Sequence, residues 1–364
     1  MRVAFFTLGC RLNQYESDSL ITLFKKSGFN VVNFKEFADV YVINTCTVTA
    51  KSDYKSRNAI HRAVKTNPQA FTIVTGCYAE TDPEILAQIH GVDLVIANEK
   101  KHAIVEIVKA KMQGAKPPEA ENSSFRFPAP VSGLHTRSYL KIQDGCDNFC
   151  SYCKVPFARG NPRSRDISDC VSAFETLVDS GIKEVVLTGI NIGKFHNGIS
   201  SLLHELIKIK GDYRIHLSSI ELNHVTDELL TLFNTGKLCS HLHIPLQSGS
   251  DKILQLMNRH YTADEFTSLM LTIKDKIGHI NLTTDVITGF PGETEEDFEK
   301  TVNLLKKLQF SHVHTFRYSP RAGTAAVKLK NKVQEKIASE RSEIIRQLSE
   351  TQKEFYIRQF FNLP

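Results

Sequence analysis

Short apolar runs alternate with amphipathic segments along the first third of the chain. The apolar runs predict strands, and the segments with helical periodicity predict helices of ten to fifteen residues between them. The predicted strands are Val3–Leu8, Val40–Asn44, Phe71–Thr75 and Asp93–Ala97, and the predicted helices are Glu16–Ser27, Lys51–Lys65 and Lys101–Met112. This order is typical of a parallel sheet covered by helices. We therefore expect a flavodoxin-like α/β domain over residues 1–113.

The pattern then stops. Residues 114–124, followed by Pro128 and Pro130, show no apolar periodicity and are rich in Gly, Pro, Ala and Ser. Such a composition is typical of a linker between domains. We place the linker at residues 114–136.

Alternation resumes over residues 137–333. The predicted strands are Ser138–Gln143, Glu184–Thr188, Arg214–Ser218, His241–Ile244, Asn281–Ile287 and Ser311–Tyr318. Helices between most of them give a series of β–α units, which indicates a partial or complete (β/α) barrel whose active site lies at the C-terminal ends of the strands. Residues 334–364 contain a charged, amphipathic helix that ends near Phe360.

Composition narrows the function classes only modestly. The 364 residues carry a net charge of +5, which permits a polyanionic partner without requiring one. No window of eighteen consecutive apolar residues occurs, and the N-terminus lacks a cleavage site typical of signal peptides, so we expect a cytoplasmic protein without a membrane span. In that compartment, eight cysteines favour metal binding or catalysis over disulfides.

Three cysteines form a C-x3-C-x2-C motif directly after a predicted strand: Cys146, Cys150 and Cys153. Three thiolates on one loop can reach three corners of a [4Fe–4S] cluster and leave the fourth iron open. An open iron can chelate S-adenosylmethionine. A structural zinc site usually has four Cys or His ligands, and no fourth cysteine follows nearby, while His135 lies on the far side of a strand.

Cys10, Cys46 and Cys77 share a different context, because each follows the end of a predicted strand. In a parallel sheet these ends meet at one edge, where three thiolates would hold a second cluster. The alternative is that they are ordinary buried thiols, which are common in strands. Cys170 and Cys239 have no cysteine near them in sequence, and we interpret both as packed thiols.

Seven segments of the chain resemble the radical S-adenosylmethionine methylthiotransferases, and the resemblance extends over essentially the whole sequence. Six of them most resemble the MtaB-type branch, which modifies N6-threonylcarbamoyladenosine beside the tRNA anticodon, and the segment at 285–294 resembles one that is shared across these enzymes. The segments are GCRLNQYES (9–17), QDGCDNFC (143–150), VPFARG (155–160), LTGIN (187–191), LSSIE (217–221), PLQSGS (245–250) and DVITGFPGET (285–294).

The resemblance implies a transferase with two [4Fe–4S] clusters and S-adenosylmethionine as cofactors. The cluster on Cys146, Cys150 and Cys153 would generate a 5′-deoxyadenosyl radical that removes hydrogen from C2 of the modified adenine at position 37 of tRNA. The second cluster would hold a sulfur that is methylated and delivered to that carbon. The implied partners are the tRNA anticodon stem-loop and an electron donor such as flavodoxin or ferredoxin.

Four residues at the ends of barrel strands are candidates for S-adenosylmethionine contacts: Gly189, Asn191, Glu221 and Gln247. The alternative for Glu221 and Gln247 is a structural role, as helix caps or as partners of buried backbone groups.

Basic residues near the predicted cluster ligands are candidates for RNA contacts. One group lies on a predicted helix and the other follows the C-x3-C-x2-C motif: Lys51, Lys55, Arg57, Arg62 and Lys65, and Arg159, Arg163 and Arg165. For the basic residues of the helix, an equally good explanation is that they form its solvent-exposed face.

Members of the family normally continue into a small C-terminal TRAM domain. The chain departs from this pattern, because Pro364 lies about where that domain would start, and we therefore expect none within these residues.

Three alternatives stay open for the function. The substrate could instead be isopentenyladenosine in tRNA or a ribosomal protein. A non-catalytic, zinc-binding RNA-binding module is the alternative outside enzymes.

Overall fold

A computed structural model describes residues 1–119, 121–123, 125–130 and 137–359. The chain divides into two compact units. The first comprises Met1–Asp147, Lys154–Ile190 and Ile209–Tyr213, and the second comprises Asn148–Cys153, Asn191–Lys208 and Arg214–Pro364. None of the helices in the described ranges has the length and apolar content needed to cross a bilayer.

The first part of the first unit is built on a parallel sheet. Its elements are β1 (Arg2–Thr7), α1 (Arg11–Lys26), β2 (Asn30–Val32), β3 (Val40–Thr45), α2 (Ala50–Thr66), β4 (Phe71–Gly76), α3 (Cys77–Thr81), α4 (Pro83–Ala87), β5 (Leu94–Ile96) and α5 (Ile104–Met112), with a 3-10 segment at Asn98–Ala103. The strand order is β2-β1-β3-β4-β5. This agrees with the predicted helix-covered parallel sheet, to which the structure adds the short β2.

Period-2 alternation explains why the sheet has apolar cores on both faces. Val3 and Val42 point into one core, whereas Ala4 and Ile43 point into the other. β3 lies in the centre of the sheet, and all six of its residues are buried. A central parallel strand covered by helices on both sides is buried along its length, and here residues 40–43 supply the apolar run, while Asn44 and Thr45 make side-chain hydrogen bonds.

The predicted linker includes a residue of the apolar core that contains Val3 and Val42. Phe127 is buried in that core, and the Tyr15 hydroxyl donates a hydrogen bond to its carbonyl oxygen at 3.4 Å. The Ser19 hydroxyl donates to the carbonyl oxygen of Pro128 at 2.9 Å. An aromatic side chain in a proline-rich segment thus gains burial against α1. Residues 120, 124 and 131–136, including His135, lie outside the described residues.

The remaining elements follow the predicted alternation of strands and helices. In the first unit they are β6 (Ser138–Lys141), β7 (Gln143–Asp144), α6 (Val155–Arg159), β8 (Arg163–Ser164), α7 (Ile167–Asp179) and β9 (Glu184–Thr188). In the second unit they are α8 (Ile199–Leu206), β10 (Arg214–Leu217), α9 (Asp227–Leu232), β11 (His241–His243), α10 (Asp251–Leu256), α11 (Ala263–Ile277), β12 (Asn281–Thr288), α12 (Glu295–Leu308), β13 (His312–Arg317) and α13 (Glu335–Arg358).

Parallel pairing continues in both units. β6 pairs with β9 in parallel in the first unit, and β11, β12 and β13 form a parallel sheet in the second. α11 and α12 each begin with a capping box, formed by Thr262 with Glu265 and by Thr294 with Asp297. The predicted α/β class with parallel sheets is therefore confirmed.

Gly76, at the end of β4, occupies a backbone position that accepts no side chain. Its φ is +98°, and a Cβ atom there would lie 2.3 Å from the carbonyl oxygen of Thr45. Gly28 also has positive φ, at +81°, but nothing lies within 4 Å of its Cβ position. An alanine at Gly28 would therefore suffer backbone strain alone, whereas an alanine at Gly76 would suffer both backbone strain and steric overlap.

We predict that Gly76→Ala lowers the free energy of unfolding by about 2–4 kcal/mol, because strain and overlap add. The matched Gly28→Ala change carries the strain alone and should cost about 1 kcal/mol. Urea denaturation followed by circular dichroism measures both. Equal losses for the two variants would contradict the crowding at Gly76.

Candidate metal centres

Three thiols lie at the C-terminal edge of the first parallel sheet. Cys10 follows β1 and caps α1, Cys46 follows β3, and Cys77 is the first residue of α3 directly after β4. The register of β3 and β4 pairs Thr45 with Gly76, so the next residues along these strands are two of the cysteines. The predicted convergence at one sheet edge is what the structure shows.

The three thiols are close enough to influence one another electrostatically. The pKa of Cys46 is raised to about 11, mainly by burial, and negative charge on Cys77 and Cys10 contributes in the same direction. Cys10 keeps solvent-exposed surface, yet surrounding protein atoms desolvate its thiol and raise its pKa, while Arg159 acts in the opposite direction. A shared metal would relieve the repulsion among three thiolates.

Polar side chains of α1 and β3 tie the cysteine-bearing loops together. The Asn13 amide donates hydrogen bonds to the carbonyl oxygens of Leu8 at 2.7 Å and Thr45 at 3.0 Å. The Asn44 amide donates to the Asn13 carbonyl oxygen at 2.9 Å. The Thr45 hydroxyl donates to the Thr75 carbonyl oxygen at 2.6 Å. Asparagine and threonine therefore hold the loops after β1, β3 and β4 in register.

Five charged residues of the first unit meet in its interior, and we call them the buried charge cluster. Its members are Glu16, Lys101, Lys141, Asp144 and Arg159, all of them buried. Arg159 Nη1 lies 2.7 Å from Glu16 Oε1 and 3.3 Å from Asp144 Oδ2. Lys141 Nζ lies 2.7 Å from a carboxylate oxygen of each acid, and Lys101 Nζ binds the other oxygen of Glu16.

Mutual pairing keeps these charges ionised. Burial opposes ionisation of Glu16, but Arg159, Lys101 and Lys141 outweigh it and hold the pKa of Glu16 well below its ordinary value. Burial also lowers the pKa of Lys101, which Glu16 opposes. Removing one partner would leave an uncompensated charge in the interior, which is costly.

The buried charge cluster reaches one of the candidate metal ligands. Arg159 Nε donates a hydrogen bond to Cys77 Sγ at 3.4 Å, and Nη2 donates to Asn13 Oδ1. The guanidinium therefore contacts a thiol, two carboxylates and an amide at once. Its side chain has 0% of its surface exposed.

The C-x3-C-x2-C motif has residues in both units. In the first unit, the Cys146 amide donates to the Gly160 carbonyl oxygen at 2.9 Å. In the second, the Cys153 amide donates to the Cys150 carbonyl oxygen at 2.9 Å, and Ser151 Oγ donates to the Leu256 carbonyl oxygen at 2.7 Å. Within each unit, hydrogen bonds thus fix the backbone that carries the respective thiols.

Cys150 borders a cleft of about 230 Å³ in the second unit. Most of its lining is polar: Asn148, Lys194, Glu221, Asn223, His224, Asn258, Arg259, His260 and Tyr261, with Leu222 beside them. Arg259 Nη1 donates to Cys150 Sγ at 3.5 Å and to Glu221 Oε1 at 3.1 Å. The Tyr261 hydroxyl accepts from Arg259 Nε at 3.1 Å.

The four candidate S-adenosylmethionine residues occupy different places. Of these four, Glu221 is the one in the lining of this cleft, and its carboxylate is paired with Arg259. Asn191 is buried at the start of a 3-10 turn. Gln247 is also buried, has a φ of +67°, and its backbone N–H donates to the Asp285 carbonyl oxygen at 2.8 Å. Gly189 lies in the first unit, where a Cβ would meet Gln143 Oε1 at 2.9 Å.

The basic residues predicted to contact RNA also separate into groups. Lys51, Lys55, Arg62 and Lys65 are exposed on α2. Arg57 donates to the Tyr78 hydroxyl at 2.9 Å, Arg163 pairs with Glu99, and Arg165 donates to the Tyr15 hydroxyl at 3.4 Å.

The structure contradicts the prediction that Arg159 contacts RNA. Its guanidinium is buried and bonded to Glu16 and Asp144, so no surface is left to a phosphate. Clustering with Arg163 and Arg165 in sequence suggested a basic patch, but α6 turns this side chain inward.

A polar group on the parallel sheet of the second unit also has metal-ligand chemistry. Ligand atoms of His243, Asp285 and His314 lie within 4.8 Å of one another. His243 Nε2 lies 3.2 Å from Asp285 Oδ2, and its Nδ1 lies 2.8 Å from the Thr283 hydroxyl. These hydrogen bonds account for both ring nitrogens of His243, so it needs no ion to be satisfied.

The residues present fit the predicted cofactors. Thiolates are the ligands of iron–sulfur clusters, and each trio supplies three. The cleft beside Cys150 offers ammonium, carboxylate and amide groups that match the charged and polar groups of S-adenosylmethionine. Sequence reasoning missed Glu16, Lys101, Lys141 and Asp144 around Arg159, and it missed Arg259. The signal available for Glu16 and Arg159 was their position in the motifs GCRLNQYES and VPFARG.

Comparisons with known proteins identify the family to which the chain belongs. Residues 2–97 match the profile described as uncharacterized protein family UPF0004, and residues 140–305 match the radical SAM superfamily. The chain is 40% identical over 373 residues to the threonylcarbamoyladenosine tRNA methylthiotransferase MtaB of Bacillus subtilis, covering 99% of this chain and 83% of that protein.

Two further similarities place this match in context. The chain is 34% identical to a tRNA-2-methylthio-N(6)-dimethylallyladenosine synthase of Thermodesulfovibrio yellowstonii, over 92% of this chain and 80% of that protein. Among solved structures, it resembles the radical S-adenosylmethionine methyltransferase TsrM of Kitasatospora setae with a TM-score of 0.64 at 16% identity, over 88% of this chain and 76% of that one. That likeness confirms the fold.

The identity to methylthiotransferases over nearly the whole chain, together with the radical SAM match, confirms the resemblance of the sequence motifs. The chain belongs to the radical S-adenosylmethionine methylthiotransferase family.

Proposed function

We propose that this protein adds a methylthio group to C2 of N6-threonylcarbamoyladenosine at position 37 of tRNA. The observation that carries the proposal is the 40% identity to an MtaB protein over 99% of the chain, compared with 34% to a dimethylallyladenosine synthase. Because tRNA is modified in the cytoplasm, the proposal includes a cytoplasmic location. Flavodoxin or ferredoxin is the proposed class of electron donor.

The proposal assigns the chemistry to two sets of thiols. Residues 1–113 form the domain that carries Cys10, Cys46 and Cys77, residues 114–136 connect it to a radical SAM barrel at 137–333, and residues 334–364 follow. When bound, S-adenosylmethionine and the two [4Fe–4S] clusters supply the radical, the sulfur and the methyl group. The protein's own task is to hold these groups and the adenine in register, because proximity contributes much of the rate.

Protein groups around the cleft suit the binding of S-adenosylmethionine. Lys194 and Glu221 offer opposite charges to its carboxylate and ammonium groups, and Cys150 borders the same space. Arg259 holds the Glu221 carboxylate by two hydrogen bonds, which fixes its orientation. Gly189, Asn191 and Gln247 complete the set of proposed contacts.

The exposed face of α2 is the proposed contact for the tRNA backbone. Lys51, Lys55, Arg62 and Lys65 are exposed there, and α2 begins shortly after Cys46. Arg57, Arg163 and Arg165 are half-buried and engaged with protein groups, so their contribution would come from their remaining exposed surface.

A second candidate substrate is the dimethylallyl-type adenosine of tRNA, which is favoured by the 34% identity to a synthase of that type. The two substrates differ only in the group on N6, so product analysis separates them directly.

We predict that the gene restores 2-methylthio-N6-threonylcarbamoyladenosine in a strain lacking its own enzyme, measured by mass spectrometry of tRNA nucleosides. A variant with Cys146, Cys150 and Cys153 changed to alanine should restore none. Appearance of the methylthio derivative of dimethylallyladenosine alone would support the second candidate and refute the first.

Anaerobically purified protein should contain about eight iron and about eight sulfide per chain, because each trio holds one [4Fe–4S] cluster. Changing Cys10, Cys46 and Cys77 to alanine should lower both to about four. The control is Cys170→Ala, which removes a buried thiol outside either trio and should leave both counts unchanged. Colourless protein that contains zinc would refute the proposal.

Lys51→Glu together with Lys55→Glu reverses two exposed charges on α2 and should weaken tRNA binding. The slope of the logarithm of the tRNA association constant against the logarithm of the salt concentration should fall in magnitude by about one for each phosphate that the helix no longer neutralises. Filter binding over a salt series measures both. The matched control is Lys306→Glu with Lys307→Glu, a pair of exposed lysines on α12. Equal effects from both pairs would mean that α2 makes no specific contact.

A further inference from the structure

The buried charge cluster carries an excess of positive charge. Lys101, Lys141 and Arg159 contribute three formal positive charges, and Glu16 and Asp144 contribute two negative ones, which leaves one positive charge. Isolated charges in a protein interior are strongly disfavoured. An interior with one unmatched cation therefore calls for an anion within reach.

The anion within reach is the set of thiolates. Arg159 Nε donates to Cys77 Sγ at 3.4 Å, and its Nη2 donates to the side-chain oxygen of Asn13 on α1, the helix that begins directly after Cys10. Lys101 binds the same Glu16 carboxylate as Arg159 and is close enough to interact electrostatically with Cys77. The excess charge therefore lies beside Cys77 rather than at a distant point of the core.

The charge on a bound cluster matches this excess. An oxidised [4Fe–4S] core carries two formal positive charges, so three thiolates leave a single net negative charge, and reduction adds another. Reduction potentials of such clusters depend on net charge, on hydrogen bonds to the sulfurs and on solvent exposure. The buried charge cluster supplies the first two of these influences, a surplus positive charge and a hydrogen bond to a thiol sulfur.

We propose that the buried charge cluster is the counter-charge of the [4Fe–4S] cluster on Cys10, Cys46 and Cys77, and that Arg159 is a positioning residue that raises its reduction potential by donating a hydrogen bond to Cys77. The inference rests on the proposed function, since it presupposes a cluster on these thiols. A nearby positive charge stabilises the reduced, more negative cluster and so favours its reduction.

The second unit offers a comparison. Arg259 Nη1 donates to Cys150 Sγ at 3.5 Å, but Glu221 binds the same guanidinium through both oxygens. The pair is formally neutral, and the side chain of Glu221 is 24% exposed. Both arginines thus donate a hydrogen bond to sulfur, whereas the surplus of positive charge is found in the buried charge cluster, which consists of Arg159 and four other residues.

The test uses the full chain with Cys146, Cys150 and Cys153 changed to alanine, so that the remaining iron belongs to the first trio. Reconstituted protein is titrated with a reductant, and the midpoint potential is followed by electron paramagnetic resonance. Lys101→Met removes a cation and should lower the midpoint. Glu16→Gln removes a carboxylate and should raise it.

Each change should alter the equilibrium constant for reduction by about tenfold, or about 59 mV for one electron. Opposite shifts from two variants that both lose a buried ion pair cannot come from a loss of packing. Arg159→Lys, which keeps the charge but loses the planar donor group, should shift the midpoint downward by less than Lys101→Met. Lys183→Met is the control, because that exposed lysine pairs with exposed Asp212 and should cause no shift.

If a variant does not fold, Lys141→Met replaces Lys101→Met and Asp144→Asn replaces Glu16→Gln, since these make the same change of charge. Shifts in the same direction, or none with iron retained, overturn the inference while the proposed function stands. A background protein that binds no iron would overturn both, because the first trio would then hold no cluster.

Discussion

The contact between Arg159 and Glu16, closed off from water, is the constraint on which much of the first unit depends. Removing one partner of a buried ion pair typically costs about 3–5 kcal/mol. Arg159 ends α6, whereas Glu16 lies on α1, 143 residues earlier. Lys101, Lys141 and Asp144 join the same contact from three further segments. These segments must all be in place before any one charge is compensated, so the ion pairs couple correct folding to the formation of the thiol site.

The parallel sheet explains why the thiols meet. Strands that run in the same direction present their C-terminal ends at one edge, and a residue directly after each strand needs no long loop to reach its neighbours. Asn13 and Asn44 then bind backbone groups of the neighbouring loops, which fixes the separation of the cysteines beyond what strand pairing alone imposes. Gly9 and Gly76 leave room for that approach, because a Cβ at either position would overlap the neighbouring loop.

The two units solve a similar chemical problem with different electrostatics. In each, a buried arginine donates to a cysteine sulfur and is held by a glutamate. In the second unit the thiol borders an open, polar cleft, which suits a site that must admit and release a small cofactor. In the first, the arginine is enclosed by additional lysines, which suits a group that stays bound. Under the proposed function, both environments serve one reaction.

The sequence by itself determined most of the elements and the position of Cys10, Cys46 and Cys77 at one edge of the first sheet. Hydrophobic periodicity predicted the bounds of β3 and α2 to within one residue, because apolar spacing reflects burial directly. The three cysteines follow strand ends, and parallel pairing brings those ends to one edge, as predicted. The assignment of these thiols and of Cys146, Cys150 and Cys153 as cluster ligands stays a prediction. The short β2 and the burial of Phe127 were not predicted, since neither has a strong local pattern. Tertiary structure alone decided the role of Arg159. A run of arginines in sequence is typical of a solvated surface, and only the folded chain brings Glu16 and Asp144 to one of them, because burial of a charge depends on partners that are distant in sequence.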